Sequence, residues 1–285
     1  MTVTDTQRSP ARTPAAPHAR TRTRTPQGTR VGGIGVLPWR VLVFAGGIAL
    51  WYLIYLLGIF PASLLPSPLE VLASLGEALV SAPFWTAIGD TLAGTLVGLA
   101  FGIVAGIPLG ILTGVFVAAE LSVRFLVDFG RAFPAIALVT VFLLMLGRGI
   151  EVKVVLVFIA VVFIVILQTQ HGVRSVSASI VDTTHAFQIR GGLFVRKVLL
   201  PSAAPSILTG LRLAASVAVL VTISTEVLTG APGLGASIAE AQVGGNSSLA
   251  YAYIFTAGLL GYAVNEGLGR FQSRILRWQP KESEA

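Results

Sequence analysis

Apolar runs of about the length that crosses a bilayer recur six times along this chain, and they limit its fold more than any other feature. They lie at 39–60, 91–117, 129–147, 152–167, 206–228 and 249–268. A helix rising 1.5 Å per residue needs about 20 apolar residues to cross a hydrocarbon core of about 30 Å. Composition agrees: 54% of residues are hydrophobic, 12% are charged, and the mean hydropathy is +0.82. Soluble domains carry about twice that share of charge. The expectation is an all-α polytopic membrane protein with six transmembrane helices, whose largest polar loop is 168–205. The N-terminal stretch 1–36 is rich in Thr, Arg, Pro and Ala, with Asp5 its only acid, and cannot form a core. It is expected to be a disordered basic tail drawn to anionic headgroups. Residues 37–277 form the membrane domain, and 278–285 a second short tail.

Lys and Arg between the runs set the orientation. Seven precede or include Arg40. Arg124 follows the second run, and Arg174, Arg190, Arg196 and Lys197 follow the fourth. Arg270, Arg274, Arg277 and Lys281 close the chain. All of these fall on one side if both termini are cytoplasmic, leaving Arg148 and Lys153 on the other. The net charge of +7 is thereby accounted for without a nucleic-acid partner, and the lipid bilayer is the surrounding expected.

Several chemistries drop out. The chain has no cysteine, and His18, His171 and His185 are too widely spaced for a His-x-x-x-His pair, so no metal site is expected. A phosphate-cradling loop needs Gly-Lys followed by Ser or Thr. The lysines are Lys153, Lys197 and Lys281, and none follows a glycine. No catalytic residue is expected, and the chain does not read as an enzyme.

Within the runs, Gly94, Gly98, Gly102, Gly106, Gly110 and Gly114 recur at a spacing of four. Bare positions let a neighbouring helix approach backbone to backbone. The stripe drifts about 40° per step around its helix and is read as a packing device. Arg131 and Pro134 open the third run. Pro134 loosens or kinks the first turn; Arg131 either contacts an anionic substrate, pairs with Asp128, or snorkels to the headgroups. Glu226, near the far end of the fifth run, is either a gate or pathway carboxylate or a headgroup-level one. Asp90 and Glu266 read as interfacial, and Gly233-Leu-Gly235 as a loop turn outside the membrane.

Between the fourth and fifth runs stands SIVDTTHAFQIRGGLFVRKVLLPSAAP, 179–205. VDTTHAFQIR reads as a short helix with Ile180, Thr184 and Phe187 near one face, broken at Gly191-Gly192. LFVRKVLL then makes a second short amphipathic piece that Pro201 ends. Such a loop is either a protrusion for another protein to grip or a solvated interfacial segment.

The pattern resembles the EAA loop of binding-protein-dependent ABC importer permeases: Glu-Ala-Ala, three residues, Gly, then Leu-Pro about a dozen residues on. Asp182-Thr183-Thr184 stand in the place of Glu-Ala-Ala, and Leu200-Pro201 fall at the family distance. LPSAAPSILTGLRLAASVAVLVTISTEVLTGAPGLGASI is similar to the corresponding run of the nitrate, sulfonate and taurine branch. LLPSPLEVLASL and LGRGIEVKVVL agree. One departure is Gln188 at the motif glycine, with glycines instead at 191 and 192.

The resemblance implies a permease subunit whose loop is a coupling helix seated in a cytoplasmic ATPase. The docking residues would be Asp182, Thr183, Thr184, His185, Ala186, Gln188, Arg190 and Gly191. It further implies a dimer of ATPases that binds ATP and Mg, no cofactor in this chain, and an extracytoplasmic solute-binding protein. A second permease copy is expected, as a homodimer in preference to a heterodimer. The solute would be a small anion such as a sulfonate, taurine or nitrate, with Arg131, Pro134 and Glu226 on its path. Two other readings stand beside it. One is a secondary transporter using Arg131 and Glu226, a class that usually shows broken spans at mid-bilayer and a repeat between halves; no convincing repeat is read, and both groups lie near span ends. The other is a membrane scaffold that recruits a cytoplasmic protein through 168–205.

Overall fold

A computed structural model describes residues 36–61, 63–189 and 191–277, so the two predicted tails lie outside it apart from Val36. Among the described residues every regular element is helical. Helix α1 is Val36–Leu56, α2 Pro68–Leu79, α3 Ala82–Val115 and α4 Val117–Ala132. A 3-10 turn, Ala135–Leu138, leads into α5, Val139–Leu146; α6 is Ile150–Arg174 and α7 Ala178–Ala186. The short α8, Gly191–Phe194, continues through a π-helical turn, Val195–Leu199, into α9, Leu200–Thr229. Helices α10, Leu234–Val243, and α11, Ser247–Ile275, complete the chain.

Four segments are long and apolar enough to cross a membrane: α3, α6, the segment containing α9, and α11. Helix α4 and the segment Ala135–Leu146 make a fifth if counted as one span bent by 82°. In the first expected span the apolar helix Val41–Leu56 is too short to count by itself, so the described residues support four or five crossings where six were expected.

Hydropathy also misplaced the helix ends. Helix α3 has 34 residues, and α9 has 30. At 1.5 Å per residue these are about 50 and 45 Å long, well beyond the apolar core. Segments expected as loops are accordingly helical: 61–90 contains α2 and the start of α3, 229–248 contains α10, and the stretch before Phe129 is α4. The expected loop 168–205 shrinks to 175–199, because α6 runs on to Arg174 and α9 begins at Leu200. Pro201 begins the α9 helix rather than ending a preceding one. That helix directly follows the π-helical residues, where the hydrogen-bond ladder is already out of α register: Leu200 N–H reaches the Val195 carbonyl.

The glycine stripe lies against α6. A Cβ at Gly98 would lie 2.6 Å from Val157 Cβ, one at Gly106 2.7 Å from Val165 Cβ, and one at Gly114 2.7 Å from Val173 Cγ1. The facing α6 positions are Lys153, Val157, Val161, Val165, Thr169 and Val173, which share the spacing of four. Numbers rise together along both helices, so α3 and α6 run parallel. A period longer than 3.6 winds such a pair right-handedly.

Helix α9 lies antiparallel on α6: Gly210 meets Gln168, and Gly172 meets Ala203 and Ser206. Between them Val157, Val161 and Val165 pack on Ala214, Ala215 and Ala218. Helix α11 joins α9 through Arg212, whose Nε donates to Asn265 Oδ1 at 2.7 Å.

A second core, at the end away from 175–199, gathers Phe84, Leu234, Ile238 and Tyr253 from α3, α10 and α11. Helix α2 contributes Ala78 to it and starts at a capping box. There Ser67 N–H donates to Glu70 Oε2 at 2.9 Å and Glu70 N–H to Ser67 Oγ at 3.2 Å.

Gly106→Leu should destabilise the solubilised protein by about 1–3 kcal/mol, the range for overpacking a close contact. Gly258→Ala, where a Cβ meets nothing within 4 Å, should be neutral or stabilising. Thermal unfolding followed by circular dichroism separates the two.

Candidate functional site

Three places gather polar chemistry: a buried clamp, a broken span and a projecting turn. The clamp joins the two charges that the sequence kept apart. Lys153, expected outside the membrane, is buried in α6 with 2% of its side chain exposed, and Glu226 in α9 has 0% exposed. Lys153 Nζ donates to Glu226 Oε1 at 3.0 Å, to the Asp90 carbonyl at 2.8 Å and to the Pro232 carbonyl at 2.8 Å, so all three ammonium protons are used. Glu226 Oε2 accepts from Thr91 Oγ1 at 2.9 Å and from Gly235 N–H at 3.0 Å. Thr91 Oγ1 in turn accepts from Leu234 N–H at 2.9 Å.

Helices α3, α6, α9 and α10 are thus pinned at one point. One turn further along, Thr95 Oγ1 donates to Thr222 Oγ1 at 3.0 Å. The glycines of Gly233-Leu-Gly235 make room for this. Gly233 has φ +150°, and a Cβ there would strike the Glu226 carboxylate. At Gly235 a Cβ would sit 2.6 Å from Glu226 Cβ. The expected loop turn is therefore the cradle of the carboxylate. Glu226 faces neither headgroups nor an open pathway, because its oxygens are committed to α3, α6 and α10.

The broken span places Arg131 and Pro134 differently. Helix α4 already runs from Val117, so both residues lie mid-way through the bent pair rather than at its start. Pro134 has no N–H to give Gly130, and Phe133 and Pro134 are extended, with ψ of 126° and 102°. The result is an 82° bend, far more than a loosened turn. Irregular backbone at membrane depth occurs where it is buried in protein or lines a cavity. Here it borders a cavity of about 380 Å³ lined by Arg131, Pro134, Ile164, Val217, Leu220 and Ser224 among others. A second cavity, of about 300 Å³, lies between α4 and the end of α6, among Glu120, Arg124, Asp128, Arg131, His171 and Arg174. Arg131 borders both, and its Nε is 3.2 Å from Asp128 Oδ1.

The projecting turn lies between α6 and α9. Phe187 N–H donates to the Thr183 carbonyl at 3.1 Å and Ile189 N–H to the Thr184 carbonyl at 2.9 Å. Between them Gln188 has φ +56°. This is the Schellman close of a helix, whose left-handed position glycine normally fills. The family motif's glycine thus has a physical reason here, and Gln188 occupies its conformation. Asp182, Thr183, Ala186, Gln188 and Gly191 are exposed, as is Phe187. Thr184 is buried, its hydroxyl donating to the Val181 carbonyl at 2.7 Å. It supports the turn from within and is not part of the exposed face. Arg190 and the side chain of His185 lie outside the described residues.

The sequence pattern of the family described as "Binding-protein-dependent transport system inner membrane component" matches residues 106–276. The chain belongs to this family. The permease is 25% identical over 232 residues to the protein described as the aliphatic sulfonates transport permease SsuC of Bacillus subtilis, covering 81% of this chain and 84% of that one. It is 28% identical over 249 residues to the protein of the same description in Escherichia coli, covering 86% and 92%. Its fold is similar to that of a chain of the inward-facing MetNI methionine ABC transporter, with a TM-score of 0.62 at 21% identity, over 69% of this chain and 99% of that one. The permease is a multi-pass transport component and not a catalytic one. The secondary-transporter and scaffold readings find no support, although the broken span is the feature the former would have required.

The clamp is what sequence reasoning missed. Its signal was present: Lys153 is the only charge at 152–167, and an intramembrane charge calls for a partner. Removing one member of a buried pair strands the other, at a cost of about 3–5 kcal/mol. Lys153→Met should lower stability by that amount, and adding Glu226→Gln should recover part of it, since a glutamine oxygen can still accept from Thr91 and Gly235. Thermal unfolding of the single and double variants of the purified permease measures this. Gln188→Gly should relieve about 1 kcal/mol of left-handed strain and slow hydrogen exchange at the Ile189 amide, read by mass spectrometry.

Proposed function

We propose that this permease is the moving pathway wall of an ATP-driven importer, energised by a separate cytoplasmic ATPase dimer that binds ATP and Mg. The coupling element is the projecting turn, through Asp182, Thr183, Ala186, Gln188 and Gly191, with His185 and Arg190 assigned to it by the resemblance alone. Its closure by a Schellman turn carries this reading: backbone hydrogen bonds from Phe187 and Ile189 shape it, and Asp182, Thr183, Ala186 and Gln188 are exposed on it. A force on it is therefore passed to α6 and α9 rather than absorbed by a slack loop.

Both termini are cytoplasmic in this reading, as the positive-inside count predicts. Two copies of the chain enclose one pathway, and an extracytoplasmic solute-binding protein delivers the solute to its outer mouth. The solute is a small organic anion of the sulfonate class. Similarity to the two sulfonate permeases supports this choice, as does Arg131 beside the cavity at the broken span. Within that frame the clamp holds the outer end rigid, and the α4–α5 break is where the wall yields. The gate is assigned to Arg131 and Pro134, and Glu226 to the frame.

Reversing the charge at Asp182 tests the coupling element. The Asp182→Arg permease should still reach the membrane but no longer co-purify with the cytoplasmic ATPase that the wild-type permease retains. An ATPase retained at wild-type stoichiometry would remove the turn from the interface.

A further inference from the structure

Arg131 is the one residue that borders both the cavity at the broken span and the charged cavity at the end of α6. The charged cavity holds three arginines and two carboxylates, and these are unequally committed. Arg174 Nη1 donates to Glu120 Oε1 at 3.0 Å, Nη2 donates to Glu120 Oε2, and Nη2 also donates to the Thr113 carbonyl at 3.2 Å. That pair ties α4 to α6 through three of the five guanidinium N–H groups. Arg124 lies between Glu120 and Asp128 on α4, and Asp128 stands 3.9 Å from Arg124 and 3.2 Å from Arg131. The Arg131 and Asp128 side chains are 57% and 50% exposed, so neither is locked in place by packing. Two cations on one carboxylate, loosely held, make an anion-exchange site.

Resting on the reading of this chain as an importer of a small organic anion, we propose that Arg131 selects the travelling anion at the junction of the two cavities. Asp128 is the internal carboxylate that the anion displaces from it. A sulfonate head offers a guanidinium the same paired oxygens as Asp128 does, so one replaces the other without leaving the arginine bare. The cavity at the break suits such a solute, with Arg131 and the Ser224 hydroxyl for its head and Ile164, Val217 and Leu220 for its carbon tail. Beyond Arg131 the anion enters the second cavity, where Arg124 and His171 receive it.

The exchange solves two problems together. An arginine left unpaired beside hydrocarbon is costly. It would also hold an arriving anion too firmly to release it. Asp128 meets both by returning to Arg131 when the anion moves on.

Two substitutions should act in opposite directions. Radiolabelled ethanesulfonate is bound at equilibrium to the purified permease–ATPase complex in phosphatidylcholine nanodiscs, and its uptake per ATP is measured with the binding protein in phosphatidylcholine vesicles. Asp128→Asn should tighten binding at least threefold and lower uptake per ATP. Arg131→Gln should weaken binding and uptake per ATP at least tenfold, with Arg131→Lys between it and wild type.

Weakening by both substitutions alike, or no change in Asp128→Asn, would overturn the exchange. If phosphatidylglycerol in the discs abolishes the Asp128→Asn effect and co-purifies with that variant, the site holds a lipid phosphate and the proposal fails. A wild-type complex with no ATP-driven ethanesulfonate uptake would sink the importer reading. Normal wild-type uptake with an unaffected Arg131→Gln would sink the exchange alone.

Discussion

Between lipid-facing helices the hydrophobic effect supplies no net attraction, since lipid tails are as apolar as leucine. Association rests on close packing and on hydrogen bonds made where water is absent. Both appear along α3. Its bare stripe from Gly94 to Gly114 lets the branched side chains of α6 reach the backbone, and at the Gly94 end the facing residue is Lys153. The last place on the stripe is therefore the first place of the clamp. Close approach brings the ammonium to Glu226 and to the carbonyls of Asp90 and Pro232, and the six hydrogen bonds then fix α9 and α10 against α3 and α6. Packing and polar satisfaction depend on one another. A side chain on Gly98 would push α6 away and leave two buried charges to find other partners.

Against that frame the bent pair is attached differently. Helix α4 meets α6 through a small cluster around Val127, Val162 and Ile166 and through the Glu120–Arg174 ion pair. Helix α5 packs with Val152, Leu156 and Ala231 at the other end of α6. Between the two attachments lies the break at Phe133–Pro134, with a cavity beside it. The clamp has its two buried charges satisfied across four helices, whereas α4 carries exposed ion pairs. A wall that must change shape is best placed where its bonds are weak and its backbone is already interrupted.

The projecting turn shows how a motif residue relates to its conformation. The family's glycine stands where a helix closes in the left-handed region, and the closing hydrogen bonds are made even though the residue there is Gln188. The geometry is imposed by the two flanking helices and tolerated by a side chain that strains to adopt it. Conversely, Thr184, at a position the motif would place in the interface, is turned inward.

Hydropathy and spacing were enough to establish an all-α membrane protein and to mark the glycine stripe, and they read a short helix at 181–190 where α7 spans Ala178–Ala186. Each rests on residues close in sequence or on a periodicity within one helix. The same signals missed helix ends, because hydropathy marks the stretch inside hydrocarbon and not the turns that continue into headgroups. They also left Arg124 in a loop, although it shares a spacing of four with Glu120 and Asp128 on one face of α4. The tertiary structure alone decided that Lys153 and Glu226, separated by 73 positions, form one buried pair, and that Arg131 borders two cavities. Charges are priced by what surrounds them. In a chain those surroundings come from helices that the linear order does not set side by side.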